Sequence, residues 1–112
     1  MPSRRIADEV LRFVVQLHED DFADLTIKGL ADRFGVSRCH ISRRFHAERR
    51  MTLATFIRRQ KLLRAERLLA VHRHMTVKQL ALHLGFADYQ YFIACFKEQW
   101  GESPGRYRKL VE

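Results

Sequence analysis

Residues 25–36, LTIKGLADRFGV, return fifty positions later as residues 75–86, MTVKQLALHLGF. The pairs Thr26/Thr76, Lys28/Lys78, Leu30/Leu80, Ala31/Ala81 and Gly35/Gly85 are identical. One extra residue near Ala87 lengthens the offset to 51, and residues 37–45, SRCHISRRF, then pair with 88–96, DYQYFIACF, ending on Phe45/Phe96. Thr52 matches Ser103, and Phe56 matches Tyr107. Each copy reads as a capped short helix, a glycine, and a second capped helix. The glycine can take the left-handed position that ends a helix. The small Ala31 and Ala81 let the partner helix come close. Helix, sharp turn, helix is the form of a helix-turn-helix. One such match is weak in an all-α protein; two joined by a basic helix carry more weight.

The rest of the chain extends this pattern without a strand. Ile6, Val10, Phe13, Val14 and Leu17 recur on one face of a first helix. The acidic run Glu19, Asp20, Asp21 and Asp24 reads as a loop. Thr26 caps a second helix with Ile27, Leu30, Ala31 and Phe34 inward, and Ser37 caps a third with Ile41 and Phe45 inward. Thr52 caps a long fourth helix, about residues 53–72, whose apolar stripe is Phe56, Ile57, Ala65, Leu68 and Leu69. Thr76 and Gln79 form a capping box for the fifth helix. Asp88 caps the sixth, which runs to Trp100 and ends at Gly101. Ser103 and Pro104 start a short seventh. The expected fold is therefore all-α, about seven helices, with two helix-turn-helix subdomains joined by a long linker helix. Its parts are residues 1–50, 51–74 and 75–112.

Charge is concentrated in the middle. The chain of 112 residues carries 21 Lys and Arg against 13 Asp and Glu, a net +8. Residues 1–36 are net −2, residues 37–74 net +9, and residues 75–112 net +1. A focused basic region suits a polyanion, nucleic acid first and an acidic membrane surface second. A solvated basic face is the plainer alternative.

Other classes find little support. No apolar run approaches the roughly 18 residues of a membrane span. Met1, Pro2, Ser3, Arg4 and Arg5 lead into an amphipathic segment rather than the apolar stretch of a signal peptide. Cys39 and Cys95 are too few for a disulfide framework. Cys39, His40 and His46, or His72 and His74, do not have zinc-motif spacing, and adjacent Cys39 and His40 point about 100° apart on a helix. There is no Gly-rich phosphate loop, paired inward carboxylate or nucleophile–base arrangement. The expectation is no enzyme, no metal and no cofactor.

The stretches LADRFGVSRCHISRRF, FIRRQKLLRAERLL and LALHLGFADYQYFIACFKEQWGESPGRYRK are similar to the DNA-binding domain of the AraC/XylS family of bacterial transcription regulators. The most specific parts are GF-x-D-x-x-x-F-x-x-x-F-K and G-x-SP-x-x-YR. The resemblance spans roughly residues 25–109. It implies a transcription regulator, commonly an activator, that binds double-stranded promoter DNA as a monomer and meets RNA polymerase. The recognition helices would be about residues 37–48 and 88–100, lying in successive major-groove segments. A cytoplasmic, nucleoid-associated bacterial protein is implied, with no membrane partner. Many members carry an effector or dimerisation domain as well. Nothing here resembles one, so the expectation is a stand-alone regulator or the DNA-binding half of a longer protein, monomeric on DNA unless a further domain dimerises it.

On the third helix the stripe opposite Ile41 and Phe45 is Arg38, Cys39, Ser42, Arg43 and His46. Arg43 is the strongest base reader, because a guanidinium pairs with both major-groove acceptors of guanine. On the sixth helix the base-facing residues are Tyr89, Gln90 and Ile93. Gln90 can pair with adenine and Ile93 can pack on thymine methyls. The family often has a polar residue near 93 and an arginine at 94. Here Ile93 and Ala94 offer no hydrogen bonds, so the first unit is expected to read sequence and the second to clamp. Backbone contacts are expected from Ser37, His40, Lys61, Tyr91 and Lys97, with Lys61 on a family phosphate-contact position. Two or three of the linker cations Arg58, Arg59, Lys61, Arg64 and Arg67 are expected to matter. Gly29, mid-helix, costs roughly 1 kcal/mol against alanine, so the first unit is expected to be the less stable. A basic helical module for a protein or acidic membrane, presenting Tyr89, Tyr91 and Ile93, remains the alternative from another class.

Overall fold

Side-chain oxygens start six of the helices. Thr26, Ser37, Thr52, Thr76 and Ser103 each accept the backbone N–H three residues on, at 3.0–3.3 Å. Asp88 accepts from Gln90 and Tyr91. At Thr76 the box closes, since Gln79 Oε1 accepts the Thr76 N–H at 2.9 Å. These bonds satisfy amide groups that a helix start otherwise leaves open.

The structure, a computed structural model, describes residues 5–111. Residues 1–4, part of the Met1–Arg5 stretch read above against a signal peptide, and residue 112 lie outside the described residues. Among the described residues there are seven α-helices, one 3₁₀ helix and no strand. These are α1 (Ile6–Gln16), the 3₁₀ segment Glu19–Asp24, α2 (Ile27–Phe34), α3 (Arg38–Arg49), α4 (Leu53–Val71), α5 (Val77–His83), α6 (Tyr89–Trp100) and α7 (Pro104–Leu110).

The sequence repeat is also a repeat of burial. Leu30 and Leu80, Ala31 and Ala81, Ile41 and Phe92, and Phe45 and Phe96 are all buried. Both turns bend through a left-handed glycine, and the residue after it bonds back to the matching alanine: Val36 N–H to Ala31 O at 3.0 Å, Phe86 N–H to Ala81 O at 2.9 Å. Even the outer pair matches. Phe56 packs on Phe45 with ring centres 5.0 Å apart, and Tyr107 packs on Phe96 at 5.5 Å.

The first and last helices each close one unit. No side chain at the N-cap Arg5 caps α1. Glu48 of α3 does so instead, accepting the Ala7 N–H at 2.8 Å while Arg44 holds its other oxygen at 3.2 Å. At the far end, α7 docks on α4. The Tyr107 hydroxyl donates to Glu66 Oε1 at 2.6 Å, and Arg108 donates to the carbonyls of Leu69, His72 and Met75.

One expected loop is not a loop. Glu19–Asp24 forms the 3₁₀ helix because its single aromatic, Phe22, is buried, as is Leu25 just after it. Asp20, Asp21 and Asp24 are exposed and Glu19 is half-buried, a polar run whose one apolar anchor is easily passed over in the sequence. This segment leaves the first unit and packs against α5 of the second.

Candidate nucleic-acid interface

α3 and α6, twelve residues each, are the second helices of the two units. Each turns its buried aromatic inward and leaves the opposite side open. On α3, Arg38, Cys39, His40, Arg43 and His46 are exposed and Ser42 is half-buried. Among the described residues, no hydrogen bond or ion pair engages the side chains of Arg38, Arg43 or His46. The Ser37 hydroxyl oxygen accepts the His40 N–H, and Ser37 itself is exposed. The charges on this helix are not all equivalent: Arg44 is engaged by Glu48, whereas Arg43 is open to solvent.

On α6, Gln90, Tyr91, Ala94 and Lys97 are exposed, and Ile93 is half-buried. Tyr89 is also half-buried and packs against the core, so less of its ring faces outward than the helical stripe suggested. Tyr91 is 49% exposed and its hydroxyl accepts from Arg58 Nη1 of α4 at 3.5 Å. The structure thus joins a linker arginine to α6, a pairing across 33 residues that no local spacing signals.

The five linker cations point in different directions. Arg59 and Arg67 are exposed and Arg58 is half-buried beside Tyr91. Arg64 lies against the 3₁₀ segment, 3.9 Å from Glu19 and 4.9 Å above the Phe22 ring. Lys61 corrects the expectation of a phosphate contact, because only 7% of it is exposed. Burial pushes its ammonium below the ordinary lysine range, and the Asp24 carboxylate opposes that shift. The signal was present in the chain: Lys61 is four residues after Ile57 and four before Ala65, inside the apolar stripe of α4.

Arg49 and Arg50, not singled out from the sequence, add exposed positive charge at the end of α3. Arg50 takes a left-handed conformation, φ 55°, where the second unit has Gly101. The offset of 51 aligns the two and was the available signal.

Within the described residues, no group of three or more His, Cys, Asp or Glu side chains is arranged to hold a metal ion, and no helix is long and apolar enough to cross a membrane. The molecule measures 49 × 25 × 24 Å. α4 has 19 residues. At 1.5 Å per residue that is about 28 Å, close to the roughly 34 Å between successive major-groove segments on one face of DNA.

A family model described as a helix-turn-helix domain matches residues 30–110. The uncharacterized HTH-type transcriptional regulator YfiF of Bacillus subtilis is 33% identical over 100 residues, covering 88% of this chain and 31% of its own length. The HTH-type transcriptional activator RhaS of Escherichia fergusonii is 30% identical over 103 residues, covering 91% of this chain and 37% of its own length. The chain therefore spans only about a third of these relatives. The DNA-binding domain of the global transcriptional factor AdpA, solved in complex with a target DNA, is 29% identical. Its TM-score is 0.73, with 96% of this chain and 93% of that one covered.

Proposed function

This chain belongs to the AraC/XylS family of helix-turn-helix transcription regulators, and from that premise we propose that it binds double-stranded promoter DNA sequence-specifically through α3 and α6. The two helices lie in successive major-groove segments, and one chain suffices. The observation that carries this reading is the repeated geometry. Two equivalent helices, each with a polar face opposite a buried aromatic, are joined by a helix about one groove spacing long.

The roles follow from side-chain chemistry. Arg43 forks onto guanine; Arg38, Ser42 and His46 read or support neighbouring bases, and Cys39 makes an apolar contact. On α6, Gln90 addresses adenine and Ile93 a thymine methyl, with Tyr89 at the edge. Ala94 has nothing to donate, so α6 contributes more grip than reading. Ser37, His40, Tyr91 with Arg58, and Lys97 approach phosphates. Their counterion release makes affinity steeply salt-dependent. The resemblance to an activator such as RhaS supports activation through contact with RNA polymerase.

The test is selection of sites from a random duplex pool near physiological ionic strength, where nonspecific phosphate binding is weak. Two enriched blocks about one turn apart are expected, the stronger one lost in Arg43→Ala. A preference that survives Arg43→Ala and disappears in Gln90→Ala reverses the roles of α3 and α6. No enrichment, together with retention on anionic vesicles, overturns the reading.

A further inference from the structure

The acidic 3₁₀ segment bridges the two units at several independent points. Glu19 lies 3.9 Å from Arg64 and 3.6 Å from His72, both at the second half of the linker. Asp20 lies 3.4 Å from His83 at the end of α5. Phe22 is buried, with the Arg64 guanidinium stacked over its ring. The backbone closes the contact. A Cβ added to Gly85, in the turn of the second unit, would lie 2.9 Å from both Cα and O of Ala23. The turn of one helix-turn-helix therefore rests directly on main chain that leads into the other.

From these contacts we infer that the 3₁₀ segment Glu19–Asp24 sets the spacing and rotation of α6 relative to α3, and with them the length of DNA allowed between the two blocks. The inference rests on the two-helix reading above. α4 is packed into the second unit through α5, α6 and α7 but meets α3 of the first only around Phe56 and Phe45, so the linker helix alone leaves a hinge on that side. A third strut at Gly85, off the helix axis, removes the hinge. One base pair more or less moves a major-groove block by about 3.4 Å and turns it by roughly 35°. A hinged pair would follow that change; a braced pair does not. The segment's carboxylates also repel phosphates, so it braces from a side that does not compete for DNA. Glu19, Asp20 and Phe22 are thus positioning residues, with no base or phosphate of their own to touch.

Two measurements test this. In the first, duplexes carry both selected blocks with the spacer varied by single base pairs. The native chain should prefer one spacer over its neighbours by about tenfold, and Phe22→Ala should flatten this to about threefold or less with the base preference within each block unchanged. In the second, spin labels on exposed Cys39 of α3 and on a Gln90→Cys variant of α6 report the distance between the helices without DNA. The distribution should be narrow in the otherwise native chain and broad with Phe22→Ala. If Phe22→Ala does not fold, Glu19→Gln with Asp20→Asn is read in the same two ways. A folded variant that keeps both the native spacer preference and the narrow distribution overturns the proposal, as does a native chain with a broad distribution. A single enriched block with a narrow distribution that Phe22→Ala broadens sinks only the two-helix reading; the brace stands.

Discussion

Arg108 of α7 donates to the carbonyl of Leu69 at 3.1 Å, 39 residues back along the chain. The same guanidinium donates to His72 O at 3.2 Å and Met75 O at 2.6 Å. One side chain thus satisfies carbonyls that the end of α4 leaves open and holds the path into α5. Arg108→Ala leaves these half-buried carbonyls short of donors. A loss of about 2–4 kcal/mol is expected, lowering Tm by roughly 10–20 °C. Arg108→Lys should recover little, because an ammonium lacks the fork that spans three acceptors. Thermal and urea unfolding of the three proteins check this.

Tyr107, the neighbour of Arg108, gives a pH dependence. Its hydrogen bond to Glu66 is the main reason its phenol is pushed up to about 12 from the usual 10.0, with burial adding to the shift. A raised folded value favours the protonated form in the folded chain. The stability from this bond is therefore complete below pH 10 and lost as pH climbs to about 12. Tyr107→Phe should cost about 1 kcal/mol at neutral pH. The gap between the two proteins should close over that alkaline window. Urea unfolding at stepped pH values measures the gap; one that stays constant would remove Glu66 as the partner.

Lys61 should be replaceable. Its ammonium is buried within α4's apolar stripe, and the Asp24 carboxylate offsets part of the loss of water. Lys61→Met keeps the length and removes the desolvated charge. Stability should stay level or rise by about 1 kcal/mol. The slope of log affinity against log salt should not change, whereas losing a phosphate contact lowers it by about one. A lowered slope would return Lys61 to the DNA-facing set.

Gly29 should resist the substitution that helix propensity recommends. Alanine mid-helix is usually better by about 1 kcal/mol. Here its Cβ would lie 2.9 Å from the backbone oxygen of Asp24 and 3.2 Å from the Thr26 hydroxyl oxygen. A carbonyl at the end of the 3₁₀ segment cannot swing aside without moving the brace. Gly29→Ala should therefore destabilise by about 1–2 kcal/mol. Gly105→Ala in α7, with nothing within 4 Å, is the control and should be neutral or slightly stabilising. Denaturant midpoints of both variants decide it.

These residues divide by the range of the interaction that holds them. Each predicted cap from Thr26 to Ser103 needs only a side-chain oxygen and an amide two or three residues away, so its sequence signature is complete. The same holds for the repeat. Leu30/Leu80, Ala31/Ala81 and Phe45/Phe96 share burial because the pattern of apolar residues repeats with the helices. At Gly29 helix propensity is a local quantity, while the carbonyl that a Cβ would meet belongs to the preceding segment. The end of α1 was invisible for a related reason: its cap, Glu48, comes from 41 residues away.

The chain's own order of residues was enough for seven helices, the doubled helix-turn-helix, the basic middle and the polar stripes of α3 and α6, because helical period, capping and charge act between near neighbours. Which of those polar groups remain free to meet DNA depended on packing. Arg43 stays open while Arg44 is held by Glu48; Arg58 joins Tyr91 while Arg64 and Lys61 turn to the 3₁₀ segment. Lys61 is marked by its place in the apolar stripe of α4 and Arg44 by Glu48 one turn on, but Arg58 and Arg64 carry no marker of direction in the sequence. For Arg58 and Arg64 the direction is set by which hydroxyl, carboxylate or ring the fold brings within a few ångströms, and Tyr91, Glu19 and Phe22 lie tens of residues away.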